Sequence, residues 1–124
     1  MRILHTSDWH LGRSFHRVNL LSEQAAVLDH LVEVVRAEKV DVIVAPTFGQ
    51  QLTATNLTGH PAIILPNGFR GDDAPAPATI TDGGGSGTPS SFTMVGNLFA
   101  EAKLLAVAKA YQDATDFHLK HPKL

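Results

Sequence analysis

The chain has 124 residues, a formal charge of −2 and no cysteine. That length suits one domain with a sizeable core. Disulfides and thiolate metal sites are excluded, and no concentrated basic face of the kind nucleic-acid binders carry is present, so DNA binding is not expected beyond a local patch such as Arg13 and Arg17. The first residues are too polar for a signal peptide and no run approaches the roughly 18 apolar residues of a membrane span, so a cytoplasmic protein without membrane contact is expected.

Residues 2–6, RILHT, form a short apolar run that suits a buried strand. Residues 7–19 lack a steady period and read as a loop. Ser22 is a plausible N-cap with Glu23 in the first turn, where the helix dipole favours negative charge. Ala25, Leu28, Leu31, Val32 and Val35 then share one helical face, and the helix should reach Glu38. Residues 40–45, VDVIVA, are a β-branched run halted by Pro46. These segments predict a β-α-β unit with two parallel strands, whose first loop lies at the carboxyl edge of the sheet, where open α/β folds place ligands. Asp8 and His10 sit on that loop.

Residues 47–60 are polar, rich in Thr and Gln, and predict little structure. Residues 61–65, PAIIL, read as a buried strand, and Asn67-Gly68 as a turn. Residues 69–88 concentrate Gly, Pro, Ala and Asp and read as a flexible surface loop, because such a stretch cannot recover its ordering entropy by burial. Residues 91–95 alternate like a strand that Gly96 ends, and Asn97 can cap a long helix burying Leu104, Val107, Ala108 and Tyr111. The expected fold is α/β, a single domain with a mixed sheet of about four strands and two main helices in the order β-α-β-β-β-α.

Residues 1–45 resemble the start of SbcD-type DNA exonuclease subunits, members of the calcineurin-like metallophosphoesterases. The resemblance rests on MRILHTSDWHLGRSFH, on QAAVLDHLVEVVRAEKVD and on DVIVA. It implies that Asp8 and His10 are ligands of one of two Mn²⁺ or Mg²⁺ ions, a hard carboxylate and an imidazole that hold an ion and leave room for water and phosphate. In that family the second strand runs into Gly-Asp, whose carboxylate bridges the metals. Pro46-Thr47 stands there instead, and the family's Gly-Asn-His and later histidine strands are missing. The resemblance also gives His16 a place near phosphate chemistry, a role that lapses without metals. Read alone, Asp8 caps a turn and His10 is a surface residue. His5 is expected to be packed or hydrogen-bonded, His30 solvent-facing, and His118 and His121 part of a solvated tail.

Residues 41–124 resemble the C-terminal end of amidase-signature enzymes, through DVIVAPT, TNLTGHPAIILPNGF and GTPSSFTMVGNLFAEAKLLAVAKAYQDATDFHLKHPKL. Those enzymes use a Ser-Ser-Lys triad lying upstream of this region. None of Ser86, Ser90 or Ser91 sits in such a motif, and a serine nucleophile needs a base and oxyanion donors beside it. Asn56, Gly59, Pro61 and Gly68 read as structural residues.

The expectation is a fusion joined near residue 45, with a nuclease-like segment 1–45 and an amidase-like segment 46–124. No catalytic residue is expected, and no cofactor is required. Two alternatives stand beside it: a metal-binding phosphoesterase relic using Asp8 and His10 with a weakly held Mn or Mg ion, and an amidase-like hydrolase fragment serving as a binding or oligomerisation module. Self-association into a homo-oligomer stays open.

Overall fold

The computed structural model describes residues 1–7, 9, 12, 14–47, 51–76 and 84–122. In chain order the elements are β1 (Ile3–His5), β2 (Ser14–Phe15), β3 (Val18–Asn19), α1 (Leu21–Glu38), β4 (Val42–Pro46), α2 (Gln51–Thr58), β5 (Ala62–Phe69), β6 (Pro89–Gly96) and α3 (Glu101–Ala114), followed by a 3-10 turn over Phe117–Leu119. A mixed four-stranded sheet runs in the order β1-β4-β6-β5. β1 and β4 are parallel, with Ile3 opposite Val42 and His5 opposite Val44. β6 is antiparallel to both β4 and β5. The expected α/β class and mixed sheet are therefore present, with more helix and more hairpin than the sequence pattern indicated.

The main core cluster lies on one face of the sheet. Side chains alternate along a strand, so Val42 and Val44 of β4, Phe92 and Met94 of β6, and Ile63 and Leu65 of β5 point the same way. α3 covers them with Leu104, Val107, Ala108 and Tyr111, the four residues its 3.6-residue period selects. Tyr111 meets the Phe92 ring edge-on at 5.0 Å, stacks at 6.4 Å on Phe117, and donates from its hydroxyl to Asn67 Oδ1 at 2.8 Å. Burial raises its phenol pKa above the ordinary value.

Several local expectations are corrected. Residues 47–60 contain α2, which Gly59 closes in a left-handed conformation (φ +73°) with its N–H on Thr55 O at 2.9 Å. Asn67-Gly68 do not turn the chain. They lie within β5, where the register slips between Pro66 and Phe69 and Gly68 takes φ +97°. Proline and a slipped register are tolerated there because β5 is an edge strand, with no ladder to complete on its outer side.

Ser22 does not cap α1, since its hydroxyl donates to Glu23 Oε2. The N-cap position is Leu20, with no side-chain cap bond, and one residue earlier Asn19 Oδ1 accepts from Leu21 N–H at 2.9 Å. Asn97 does not cap α3 either. That helix begins at Glu101 after a turn in which Ala100 N–H reaches Asn97 O at 3.1 Å. Residues 14–19, expected as loop, form the β2–β3 hairpin. His16 and Arg17 make its two-residue turn, both at positive φ (47° and 68°), the geometry that a twisted hairpin demands.

α1 is the least covered element. Gln24, Leu28, Leu31, Val34 and Val35 are half-buried, and none of its 18 residues is buried. The expected core positions Ala25 and Val32 are exposed. An 18-residue helix is about 27 Å long, whereas β1, with 3 residues, offers about 10 Å of sheet beside β4.

Candidate functional site

The parallel pairing of β1 and β4 brings their carboxyl ends to one sheet edge, and Thr6 N–H prolongs the pairing onto Val44 O at 2.9 Å. The chain leaves β1 here into the loop singled out by the sequence. Asp8 and His10 themselves lie outside the described residues, as does Arg13. Around them the described residues fold back on the first half of α1. Trp9 is half-buried and its Nε1–H donates to Thr6 Oγ1 at 2.6 Å, while Gly12 N–H donates to Gln24 Oε1 at 2.9 Å. Between loop and helix is a cleft of about 350 Å³, walled by Thr6, Ser7, Trp9, Gln24, Leu28 and Leu31. Glu23, at its rim, has its carboxyl pKa held below the ordinary value, first by its own backbone N–H and then by the Ser22 hydroxyl.

At the neighbouring strand end β4 runs out through Pro46 into Thr47, where the nuclease resemblance leads one to expect Gly-Asp. Thr47 is 9% exposed and its Oγ1 donates to Ser91 Oγ at 2.8 Å. The position therefore presents a neutral hydroxyl tied to another neutral hydroxyl. Among the described residues no group of three or more His, Asp or Glu side chains converges as a metal site would.

The remaining histidines are dispersed. His5, on the edge strand β1, is exposed rather than packed. His30 is exposed as expected and lies 3.9 Å from Glu33. His16 sits in the hairpin turn, and His118 and His121 are exposed near the C-terminus.

The serines follow the same pattern. Ser86 Oγ donates to Asp72 Oδ1 at 2.6 Å, and Ser91 accepts from Thr47. Residues 70–76 and 84–88 form the stem of the Gly-rich excursion, held by Arg70 N–H to Thr88 O and Gly87 N–H to Arg70 O, both 2.9 Å. The triple-glycine start and residues 77–83 lie outside the described residues. Of the residues read as structural, Asn56 is exposed on α2, Gly59 ends it, and Pro61 O accepts from Gly96 N–H at 2.9 Å. At Gly68 a Cβ would stand 3.2 Å from the Phe117 ring.

Asp41 was not singled out by the sequence. Its carboxylate accepts from Lys103 Nζ at 2.7 Å and from Arg2 N–H at 2.9 Å, joining β1, the start of β4 and α3. These two bonds, the Lys103 one foremost, hold its pKa below the ordinary aspartate value. Arg2 also pairs with Glu38 at the end of α1. The separation of 62 positions between Asp41 and Lys103 leaves no local pattern that would reveal the pair.

Comparison with known proteins finds local similarity to two different kinds of protein. Over 44 residues, 36% of the chain, it is 57% identical to the D component of the nuclease SbcCD of Bacillus subtilis and 50% identical to that of Escherichia coli. Over 69 residues, 56% of the chain, it is 41% identical to the A component of the glutamyl-tRNA(Gln) amidotransferase of Janthinobacterium sp. (strain Marseille), an amidase-signature protein. The chain spans only 11% of the two nuclease components and 12% of the amidotransferase component. No family model and no solved structure matches it. The expected resemblance to both SbcD-type nuclease components and amidase-signature enzymes is thus present. No helix among the described residues is long and apolar enough to cross a membrane.

Proposed function

We propose that this chain is a fusion of a nuclease-like β-α-β segment with an amidase-like segment, and that it has no efficient hydrolytic activity. The observation that carries this reading is the carboxyl end of β4. A two-metal phosphoesterase needs a carboxylate there to bridge its ions and clamp the attacking and leaving oxygens. Thr47 stands there instead, nearly buried, with its hydroxyl bonded to Ser91. A neutral hydroxyl so placed supplies no bridging charge, so the residues at this edge do not fit a two-metal centre. On the amidase side, Ser86 is bonded to a carboxylate and Ser91 to a threonine, and neither arrangement provides a lysine base.

The test is incubation of the purified chain with single- and double-stranded DNA and Mn²⁺, and with a panel of simple amides. No turnover above buffer is expected. Mn²⁺-dependent DNA cleavage that disappears in Asp8→Ala would overturn the proposal, as would amide hydrolysis lost in Ser86→Ala or Ser91→Ala.

A second reading, a relic site for one Mn²⁺ or Mg²⁺ through Asp8 and His10, is favoured by one observation. The loop that carries them leaves the carboxyl end of a parallel strand pair, the usual ligand position in α/β sheets. Calorimetric titration with Mn²⁺ decides it. Heat that vanishes in the Asp8→Ala/His10→Ala double variant supports the site, and equal heat from both proteins removes it.

A further inference from the structure

The apolar arc of α1 is wider than the surface its own chain covers. Leu28 and Val35 are half-buried, while Leu21, Ala25 and Val32 continue the same stripe into solvent, Leu21 at 56% and Val32 at 45% exposure.

We infer that a second copy of this chain covers the stripe, through an antiparallel α1–α1 contact about a two-fold axis near Val32. Such a contact is self-complementary, each residue pairing once in each direction. In this register Val32 meets its own counterpart and Leu28 lies across from Val35 of the other copy. The charges along the rim select the same arrangement. Asp29 and Arg36 are exposed two turns apart on one flank of the stripe. Antiparallel helices bring like flanks together, so Asp29 lies across from Arg36 of the other copy, and the pair forms twice. Opposite charges so placed fix register and orientation. A parallel contact offers no such reciprocal pair.

Sedimentation equilibrium of the full chain across the micromolar range reads the association directly. A mass of twice 13.3 kDa is expected. Val32→Glu, Asp29→Arg and Arg36→Asp each should weaken the dimer by about tenfold or more, with the far-UV circular dichroism unchanged because these positions face solvent in the single chain. The double variant Asp29→Arg/Arg36→Asp should recover the wild-type constant. Because the chain contains no cysteine, a second measurement is free of background. Val32→Cys should oxidise to a disulfide-linked dimer, and Leu57→Cys, exposed on α2, should not. A wild-type monomer, a dimer indifferent to Val32→Glu, a double swap without recovery, or equal cross-linking at both cysteine positions would each overturn the inference.

Discussion

Thr93 sits at the centre of the sheet with 0% exposure, opposite Ala45, and its Oγ1 has no hydrogen-bond partner among the described residues. A buried hydroxyl without a partner costs about 1–3 kcal/mol of desolvation. Valine has nearly the same shape and lacks the polar atom, so Thr93→Val should stabilise the fold by about 1–2 kcal/mol. With an unfolding entropy of about 2.1 cal/mol/K per residue, each kcal/mol raises the melting temperature of a 124-residue chain by about 4 °C. The expected gain is therefore about 4–8 °C by calorimetry, with a matching rise in the urea midpoint at unchanged slope. Thr47→Val is the control of opposite sign. It removes the donor to Ser91 and should cost about 1 kcal/mol. Equal or lower stability in Thr93→Val would refute the reasoning, because it would mean the hydroxyl is satisfied in solution.

Two further expectations concern single positions. Gly68→Ala should cost about 1–3 kcal/mol, since it meets both a positive φ of 97° and the Phe117 ring, whereas Gly59→Ala, with open space around its Cβ, should cost about 1 kcal/mol; urea titrations that ranked them equally would dismiss the Phe117 contact. Asp41 has a folded-state pKa below its unfolded value, so its contribution is complete above about pH 4 and is lost as pH falls through the folded pKa. Asp41→Asn should accordingly be less stable than wild type near neutrality and lose less on acidification below about pH 4, read from urea midpoints against pH.

The sequence pattern carried the sheet and the main helices because these depend on hydrophobic period. Residues 40–45 and 91–95 are β-branched or alternating, and Leu104, Val107, Ala108 and Tyr111 fall on one helical face. What it missed depends on partners remote in sequence. The hairpin at 14–19 turns on His16-Arg17, with none of the Asn-Gly chemistry that marks such turns, so nothing local signals it. Asn67-Gly68 carries that signal and turns nothing, because pairing with β6 and the Phe117 ring hold it within a strand. The α1 stripe was legible, and how little sheet would meet it was not. For the site, the address after β1 was legible from the β-α-β pattern. The commitment of Thr47 to Ser91, 44 residues away, became visible only in three dimensions.

The pairing of β4 with β6 also sets an order of events during synthesis. Val42 waits for Gly96 and Pro46 for Phe92, so the central seam closes loops of about fifty residues, a contact of high order that forms slowly. Until β6 has emerged, β4 holds only the three-residue β1 and carries an open, strongly apolar edge. The interval between synthesis of β4 and synthesis of β6 is thus the one in which this segment is most exposed to aggregation.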